Sequence, residues 1–404
     1  MKRSLESNIL QLYLIKVSNW FMLYMPIVVV FYSSNGLDLK DLLLLQAVYS
    51  VSIVALEIPS GYLADAIGRR ITIILGCILG VAGFIIYSLT SGFWPFLIAE
   101  MTLGIGSSFI SGADSAILYD SLIELGKSDD YTKHEGRITS VGNFSEAIAG
   151  ILGGLLARYV SIRAPYFFQT GIAAIGVPAS LLLLEPAKQG AIIKYKMTDF
   201  LKVVKDCLIV NKLLRRNIFF SSVIGASTLT MAWFVQPYFQ QINIPLQWYG
   251  VLWTSLNLTA AITAMIAYQI EKKLGDTRTM ILITLGVSLG YFAVGMFQAL
   301  WALTFFYIFY FVRGVATPVL KDYINRLTAS EVRATVLSVR SFIIRILFAI
   351  IGPFLGWYSG KFSLSAAFII AGFTFLILGS ATLIMYLIGL FAEKRVKQNS
   401  NFKL

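Results

Sequence analysis

Long apolar runs alternate with short polar breaks along almost the whole chain. Each run holds roughly twenty residues, which is the length that an α-helix needs to cross the hydrocarbon core of a bilayer. The pattern predicts an all-α integral membrane protein with twelve transmembrane helices. Their approximate ranges are 9–33, 42–63, 71–91, 94–118, 138–158, 164–185, 217–239, 248–270, 279–298, 301–322, 336–358 and 365–390.

The longest polar break covers 186–216 and divides the runs six and six. Apolar residues from Met197 to Leu208 recur within it at helical spacing, opposite a lysine-rich face. This pattern is typical of an amphipathic helix on a membrane surface. We therefore expect an N-terminal six-helix bundle over 1–185, a cytoplasmic amphipathic linker over 186–216 and a C-terminal six-helix bundle over 217–404.

The two halves resemble each other at a constant offset. When the fourth and fifth runs are placed over the tenth and eleventh, an offset of 202 residues aligns Asp120 with Asp322. Small residues align at the same offset without a gap, in the pairs Gly112 and Gly314, Ala147 and Ala349, Gly150 and Gly352, and Gly154 and Gly356. A duplicated pair of six-helix bundles indicates a transporter whose site lies between the halves.

Composition agrees with this pattern and excludes an ordinary soluble protein. Hydrophobic residues make up 57% of the 404 residues, charged residues only 13%, and the mean hydropathy is +0.75. Cys77 lies in an apolar run and Cys207 in the polar linker, so we expect no disulfide between them.

The net charge of +12 raises the question of a nucleic-acid partner, which the distribution of the basic residues answers. The alternate loops on the predicted cytoplasmic face carry most of them, whereas the opposite face has little beyond Lys40, Arg158, Arg163 and Lys361. This asymmetry follows the positive-inside rule. It predicts a multi-pass protein of the cytoplasmic (plasma) membrane with both termini in the cytoplasm, and no nucleic-acid partner.

The break between the second and third runs carries a specific motif, GYLADAIGRR, at residues 61–70. Its glycine, aspartate four residues later, glycine three residues after that and following arginines resemble the signature loop of the major facilitator superfamily. A weaker echo, EKKLGDTR, lies at 271–278 in the second half. The segments EIPSGYLAD, DSAILYDSL, QPYF and RATVLSVRS are similar to a bacterial subgroup of its permeases. The resemblance spans essentially the whole chain and implies alternating access without a cofactor.

By the same resemblance, the motif acts as a conformational latch. Asp65 should face the positive N-terminus of the eleventh helix and help to close the cytoplasmic side, while Arg69 pairs with Asp65 or Asp120. The alternative is a solvated loop whose arginines only obey the positive-inside rule. The expected latch residues are Gly61, Asp65, Gly68, Arg69, Asp120 and Arg333.

Ionisable residues inside the apolar runs are the candidates for a binding site. Each costs about 2.5–3.5 kcal/mol at the centre of a membrane helix, so each is expected to face a partner or a wet cavity. The resemblance implies that the first, fourth, seventh and tenth helices line that cavity. The candidate substrate-binding residues are Lys16, Trp20, Tyr24, Glu100, Ser108, Ser111, Trp233, Gln236, Tyr310, Arg313 and Arg345. Helix packing is the alternative for the serines and tyrosines, and an ion pair with Glu146 or Asp114 for the arginines.

Proton coupling requires a carboxyl group whose charge can change near neutral pH. We expect Glu146 as the first candidate and Glu57 as the second, followed by Asp114; the last two could instead belong to the latch. The single histidine, His134, lies in a predicted cytoplasmic loop and is a poor candidate.

The sequence thus predicts a monomeric secondary active transporter that moves a small organic solute with protons, with export favoured over import. Its expected partners are the solute, protons and the lipid bilayer. The fifth run has only part of the glycine motif of exporters in this superfamily, because the glycines at 150, 153 and 154 lack its proline. Alternatives are an importer or uniporter of an organic anion or siderophore-like compound, and a transporter-derived sensor or lipid scramblase. Without a nucleophile and base or a metal cluster in the pattern, we expect no enzyme.

Overall fold

The structure is a computed structural model that describes residues 5–186, 202, 204–328 and 332–401. Helices account for nearly all of these residues, and no strand occurs among them. The prediction of an all-α membrane protein is therefore confirmed. Most of the predicted amphipathic linker, at 187–201 and 203, lies outside the described residues.

The chain divides into two compact units. Unit 1 consists of Met1–Ile192 with Asn243–Ser255, and unit 2 of Ile193–Ile242 with Leu256–Leu404. Unit 1 contains eight helices among its described residues. They are α1 (Glu6–Trp20), α2 (Val28–Ser34), α3 (Leu39–Ile67), α4 (Arg69–Leu89), α5 (Phe93–Ile110), α6 (Ala113–Glu124), α7 (Tyr131–Tyr159) and α8 (Ala164–Leu182).

The remaining helices follow a π-helical turn at Asp206–Val210. They are α9 (Lys212–Gln241), α10 (Gln247–Leu274), α11 (Asp276–Met296), α12 (Leu303–Asn325), α13 (Arg333–Lys361) and α14 (Leu364–Asn401). The first turns of α10 belong to unit 1, and the rest of α10 belongs to unit 2 with the other five helices.

Eleven segments of the described residues are long and apolar enough to cross a membrane. Each of the twelve predicted runs corresponds to helical structure. The sixth run is helical but is not among the eleven segments. It forms the 19-residue helix α8, which contains Pro165, Gln169 and Pro178. Prolines and an amide lower its mean hydropathy, yet a helix of this length still reaches across roughly 28 Å.

Two predicted runs are each broken into two helices. In the first, the chain leaves helical geometry after Trp20 and a short 3-10 turn at Met25–Ile27 leads into α2. In the fourth, Gly112 adopts φ of 82° between α5 and α6. A left-handed residue cannot continue an α-helix, so the break redirects the chain within the span.

Unit 1 is organised around α4, which packs against α3, α5 and α8. Its contact with α5 is close because Gly76 and Gly106 face each other. A Cβ added to Gly76 would lie 2.8 Å from the Gly106 carbonyl oxygen. Small residues at such a crossing allow the backbones to approach, which is how helices pack without a hydrophobic driving force in lipid.

One end of unit 1 is held by Arg163, directly before α8. Its guanidinium donates to the Thr90 carbonyl oxygen at 2.6 Å, to Asn35 Oδ1 at 2.6 Å, to Ser91 Oγ at 2.8 Å and to the Ser88 carbonyl oxygen at 3.2 Å. Asn35 belongs to the α2–α3 connection, Thr90 and Ser91 belong to the α4–α5 connection, and Ser88 lies in the last turn of α4. We call this the Arg163 end of unit 1, and the opposite end, where α3 meets α4, the Arg69 end.

Unit 2 is organised around α9, which packs against α12, α13 and α14. Tyrosine hydroxyls connect its helices: Tyr291 on α11 donates to the Ser227 carbonyl oxygen of α9 at 2.7 Å, and Tyr238 on α9 donates to the Phe297 carbonyl oxygen at 2.8 Å. Both tyrosines are buried. Hydroxyl donors that reach backbone oxygens satisfy groups that lipid cannot hydrate.

Candidate functional site

Glu100 on α5 is an ionisable side chain within a membrane span that three side-chain hydrogen bonds hold in place. It is only 5% exposed. Its Oε1 accepts hydrogen bonds from Gln46 Nε2 at 2.5 Å, Tyr87 OH at 2.6 Å and Tyr32 OH at 3.0 Å. The two tyrosine hydroxyls also lie 2.5 Å from each other. Four helices, α2 to α5, thus converge on one carboxyl group.

An aromatic shell surrounds this carboxyl group. Phe31 stacks on Tyr166 with ring centroids 3.9 Å apart and on Phe96 at 5.5 Å, and Tyr24 lies 5.3 Å from both Phe84 and Tyr166. Such a setting excludes water and strengthens every electrostatic interaction inside it. Sequence reasoning placed Glu100 and Tyr24 among the substrate-binding residues; the structure places Glu100 inside unit 1 with polar partners of its own.

A second polar group of unit 1 contains Lys16 and Asp114. Lys16 Nζ lies 4.6 Å from the centroid of the Trp20 ring. Its charge attracts the Asp114 carboxylate, which Glu135 repels, and Glu135 accepts a hydrogen bond from Ser115 Oγ at 3.0 Å. Residues on α1, α6 and α7 therefore combine one ammonium and two carboxyl groups. The sequence predicted Lys16 and Asp114 as functional residues but gave no sign of Glu135.

The remaining predicted residues of unit 1 occupy different environments. Glu146 on α7 is half-buried and interacts electrostatically with Tyr24. Ser108 is fully buried, and its hydroxyl has no hydrogen-bond partner among the described residues. Ser111 is exposed at the end of α5. The side chain of Glu57 on α3 lies outside what the structure describes.

The predicted binding residues of unit 2 lie on three helices. Arg313 on α12 is half-buried, with its guanidinium carbon 5.2 Å from the centroid of the Tyr310 ring. Gln236 on α9 is buried, and nearby Trp233 is half-buried. Arg345 on α13 is half-buried as well. Their roles in substrate binding stay predictions.

Arg340, one of two arginines in the middle of α13, was not among the predicted binding residues. It is 8% exposed, and its Nε donates to Ser221 Oγ on α9. Its own carbonyl oxygen accepts from Ser222 Oγ at 3.3 Å. Within the described part of the chain, no carboxylate lies within ion-pair distance of its guanidinium.

At the Arg69 end of unit 1, the predicted pairing of Arg69 with Asp120 is present. Arg69 Nη1 forms an ion pair with Asp120 Oδ2 and donates to the Ala116 carbonyl oxygen at 3.0 Å. Glu185, which sequence reasoning missed, accepts from the backbone nitrogens of Arg69 at 2.9 Å and Arg70 at 2.7 Å. This carboxylate caps α4, where the helix dipole favours an anion.

The structure describes the other predicted latch residues only in part. Gly61 and Asp65 lie in the last third of α3, and the Asp65 side chain is outside the described set. Arg333 is the exposed first residue of α13, with Nη2 3.5 Å from the Thr328 carbonyl oxygen. The latch itself stays a prediction.

Asp322 in unit 2, which aligns with Asp120 in the repeat, also forms an ion pair with an arginine. Asp322 pairs at 2.5 Å with Arg326, which lies four residues later and directly follows α12. Arg326 also lies 3.7 Å from Glu271. Although burial opposes its charge, the Asp322 carboxylate raises the pKa of Arg326. Both halves thus use an aspartate and an arginine here, but the arginine comes from a different segment in each.

Among the described residues, no cluster of three or more histidine, cysteine, aspartate or glutamate side chains could hold a metal ion. Cys77 and Cys207 are free and buried. Burial, and then the neighbouring Asp206 carboxylate, raises the pKa of the Cys207 thiol.

Sequence comparison identifies the family. The profile of the Major Facilitator Superfamily matches residues 12–353. The chain belongs to this superfamily. As a Major Facilitator Superfamily protein, it is a multi-pass membrane transporter and not an enzyme. The resemblance seen in the GYLADAIGRR motif is therefore confirmed.

Similarity to individual members of the superfamily is lower. The quinolone resistance protein NorA of Staphylococcus aureus is 23% identical over 167 residues, which are 41% of this chain and 42% of NorA. An uncharacterized transporter of Buchnera aphidicola subsp. Schizaphis graminum is 27% identical over 217 residues, 51% of each chain. The alignments span about half the length of these relatives or less.

Solved structures of the superfamily share the fold. The nucleoside transporter NupG has a TM-score of 0.79 at 13% identity, over 94% of this chain and 99% of NupG. A bacterial homologue of the human lysosomal transporter Spinster has a TM-score of 0.71 at 15% identity, over 96% of both chains. A peptide transporter, POT, crystallised with sulfate, has a TM-score of 0.70 at 16% identity, over 94% of both chains. Identities this low establish the architecture alone.

Proposed function

We propose that this chain is a secondary active transporter that exports a small organic solute by alternating access, driven by protons. The observation that carries the proposal is the buried carboxyl group of Glu100, held by donors from three other helices in a transporter of this superfamily. A carboxyl group at such a depth is costly and marks a proton or solute pathway by default.

Proton coupling needs a link between protonation and helix position. Burial favours the neutral carboxyl group, whereas the donors Tyr32, Gln46 and Tyr87 favour the ionised one. Any movement of α2 or α4 that removed a donor would change the proton affinity of Glu100. Glu146, through its interaction with Tyr24, borders the same aromatic shell. We infer that Glu146 exchanges the coupled proton and that Glu100 senses it.

Each unit has polar side chains of its own that suit a solute. In unit 1, Lys16, Trp20 and Tyr24 supply a cation and aromatic surface. In unit 2, Arg313 supplies a cation beside the ring of Tyr310, which is itself fully buried. A cation over an aromatic face suits an amphiphilic organic solute with an anionic group.

Export is supported by the similarity to NorA, a protein named for quinolone resistance. The glycines of the partial exporter motif in α7 have packing partners. Gly153 meets the backbone of Leu23, and Gly150 meets Gly250 at the start of α10. Close packing is a sufficient reason for these glycines, so the motif adds nothing to the case for export.

The Arg69 end is proposed to face the cytoplasm and to contain the latch. The positive-inside asymmetry supports this orientation. Asp65→Asn should then shift the population towards the inward-open state. Single cysteines introduced at the Arg69 end or the Arg163 end of unit 1, in a chain lacking Cys77 and Cys207, would report this shift through their labelling rates. Unchanged labelling at both ends would count against the latch.

The transport proposal is tested in proteoliposomes. The purified chain is reconstituted, a pH gradient is imposed, and the movement of a fluorescent quinolone and of a lipophilic cationic dye is followed. We expect saturable, gradient-dependent flux of at least one of them, abolished by a protonophore. Flux of labelled phospholipid without solute flux would instead identify a scramblase, and the absence of any flux would favour a sensor.

A further inference from the structure

A groove lies between α4 and α8 near the Arg163 end of unit 1. Its volume is about 180 Å³, and its lining consists of Ile85, Ser88, Leu89, Phe167, Thr170 and Gly171. We call it the α4–α8 groove. An apolar cavity of about 150 Å³ holds a benzene molecule, so the groove has room for roughly six carbon atoms. None of its residues is among the predicted binding or latch residues.

The α4–α8 groove opens on a surface that faces lipid. Leu89 and Phe167 at its rim are 69% and 50% exposed, and exposed apolar side chains on a membrane-spanning helix contact hydrocarbon. The two hydroxyl groups of the lining are occupied within the protein. Ser88 Oγ lies 3.1 Å from Thr170 Oγ1, and Thr170 also donates to the Tyr166 carbonyl oxygen at 3.0 Å. The walls therefore suit an acyl chain, which offers no hydrogen bonds.

A positive charge lies at one end of the groove. Arg163 precedes Phe167 by one helical turn, and its Nη1 donates to the carbonyl oxygen of Ser88, a groove residue. All four hydrogen bonds of this guanidinium go to neutral oxygens. In the part of the chain that the structure describes, no carboxylate lies within ion-pair distance of it. The ring of Phe31, 5.5 Å from the guanidinium carbon, offsets only part of the charge.

The acids of the same end do not supply the missing negative charge. Asp38 Oδ1 accepts from the Asp41 backbone nitrogen at 2.8 Å, and Asp41 Oδ2 accepts from the Asp38 backbone nitrogen at 3.4 Å, so both carboxylates cap α3. The Nε donor of Arg163 has no acceptor among the described residues. Because hydrogen bonds between ionised groups are roughly twice as strong as neutral ones, an anion at Nε would stabilise this end.

We propose that the α4–α8 groove binds an anionic phospholipid, with an acyl chain between the two helices and the phosphate beside Arg163. A phospholipid carries an anion next to a hydrocarbon chain, so one molecule fits both features, and arginine is well suited to phosphate. Gly171 leaves space for the chain, since no atom lies within 4 Å of a Cβ placed there. The site is independent of the transported solute and of the direction of transport.

The test uses the full chain, purified in detergent and stripped of lipid. Melting temperatures are measured against the concentration of dioleoyl phosphatidylglycerol, which gives an apparent Kd through ligand stabilisation. Dioleoyl phosphatidylcholine is the counterpart with the same chains and no net charge, and inorganic phosphate is the counterpart without a chain. We expect phosphatidylglycerol to bind at least about tenfold more tightly than phosphatidylcholine, and inorganic phosphate to leave the melting temperature unchanged.

Two glycines provide a matched pair of variants. Gly171→Leu fills the groove and should weaken the apparent affinity for phosphatidylglycerol at least about tenfold. Gly360→Leu is the control, because Gly360 is an exposed helical glycine in α13 whose added Cβ also meets no atom within 4 Å. It should leave the affinity unchanged. Equal affinity in Gly171→Leu and the native chain would overturn the groove as the binding site.

The phosphate contact is tested separately with Arg163→Gln. This variant should bring the affinity for phosphatidylglycerol down to that for phosphatidylcholine. If it fails to fold, because Arg163 also holds the connections around it, the comparison of the two lipids on the native chain decides. Equal affinities for the two lipids there would overturn the anionic site. Stabilisation by inorganic phosphate alone would identify a simple anion site and would overturn the proposal as well.

Discussion

Gly68 and Gly275 hold the same place in the two halves of the chain. Each is the only residue between two consecutive helices, and each has a positive φ, of 104° and 74°. Their ψ angles are 142° and 163°. This region of backbone conformation is essentially restricted to glycine. The weak sequence echo at 271–278 is therefore a repeat of backbone geometry as well as of residue types.

Alanine at either glycine should destabilise the protein. We expect Gly68→Ala and Gly275→Ala each to cost about 1–3 kcal/mol, because a Cβ strains a backbone that nothing else in the turn can relax. Thermal unfolding of the purified variants measures the loss. Gly80→Ala, in the middle of α4 with no atom within 4 Å of the added Cβ, is the control and should be neutral or stabilising. A similar melting temperature for all three would contradict the assigned turn geometry.

Removal of the Glu185 carboxylate should loosen the start of α4. Glu185→Ala leaves two backbone N–H groups without their acceptors, and we expect a loss of about 0.5–2 kcal/mol, with a smaller loss for Glu185→Gln, which keeps one acceptor oxygen. Hydrogen exchange at the amides of Arg69 and Arg70 should accelerate. Asp206→Asn, at an exposed carboxylate of unit 2, is the control. Unchanged exchange at these two amides would show that the cap is dispensable.

The hydroxyl groups around Glu100 should stabilise unit 1 together. Tyr87→Phe and Tyr32→Phe each remove one donor from a buried carboxyl group, and we expect each to cost about 1–3 kcal/mol. Because the two hydroxyls also contact each other, the double variant should lose less than the sum of the single losses. A double-mutant cycle in thermal unfolding measures this coupling. Tyr159→Phe, at a ring that is 76% exposed, is the control; strictly additive losses would mean that the hydroxyls act independently.

Neutralisation of Glu146 should separate transport from the proton gradient. We expect Glu146→Gln to abolish pH-driven flux while solute exchange between the two sides persists, because an amide cannot exchange a proton but fills the same volume. Parallel flux and counterflow measurements in proteoliposomes distinguish the two. Glu124→Gln, at the exposed end of α6, is the control. If pH-driven flux survives in Glu146→Gln, the proton is carried elsewhere, and Glu100→Gln becomes the next variant to measure.

Local pattern was sufficient for the helices but not for their interruptions. Apolar runs of membrane length predict spans because lipid requires every backbone group to be bonded within the segment. The break after Trp20 follows from no such rule, since Pro26 lies several residues beyond it. Gly112 was noted only as a repeat match, and its positive φ shows that it also divides the span.

Pairings between distant residues were predicted only where charge and loop position limited the choice. Arg69 had two candidate acids, and one of them, Asp120, is its partner. The donors to Glu100 were missed because Tyr32, Gln46 and Tyr87 lie on three other helices, and apolar periodicity carries no information about which helices meet. Gln46, an amide directly after four leucines, was the one available signal. For Arg340, no local pattern distinguished it from Arg345 on the same helix.

The side chain of Arg163 makes one assembly of three surface connections. Its hydrogen bonds reach the turns that precede α3 and α5 from its own place before α8, so these segments share a single fastening point. A molecule that displaces one of these segments therefore also disturbs the guanidinium that holds the others. A peptide or antibody fragment directed at the Ser91 turn would therefore act on the whole of that face.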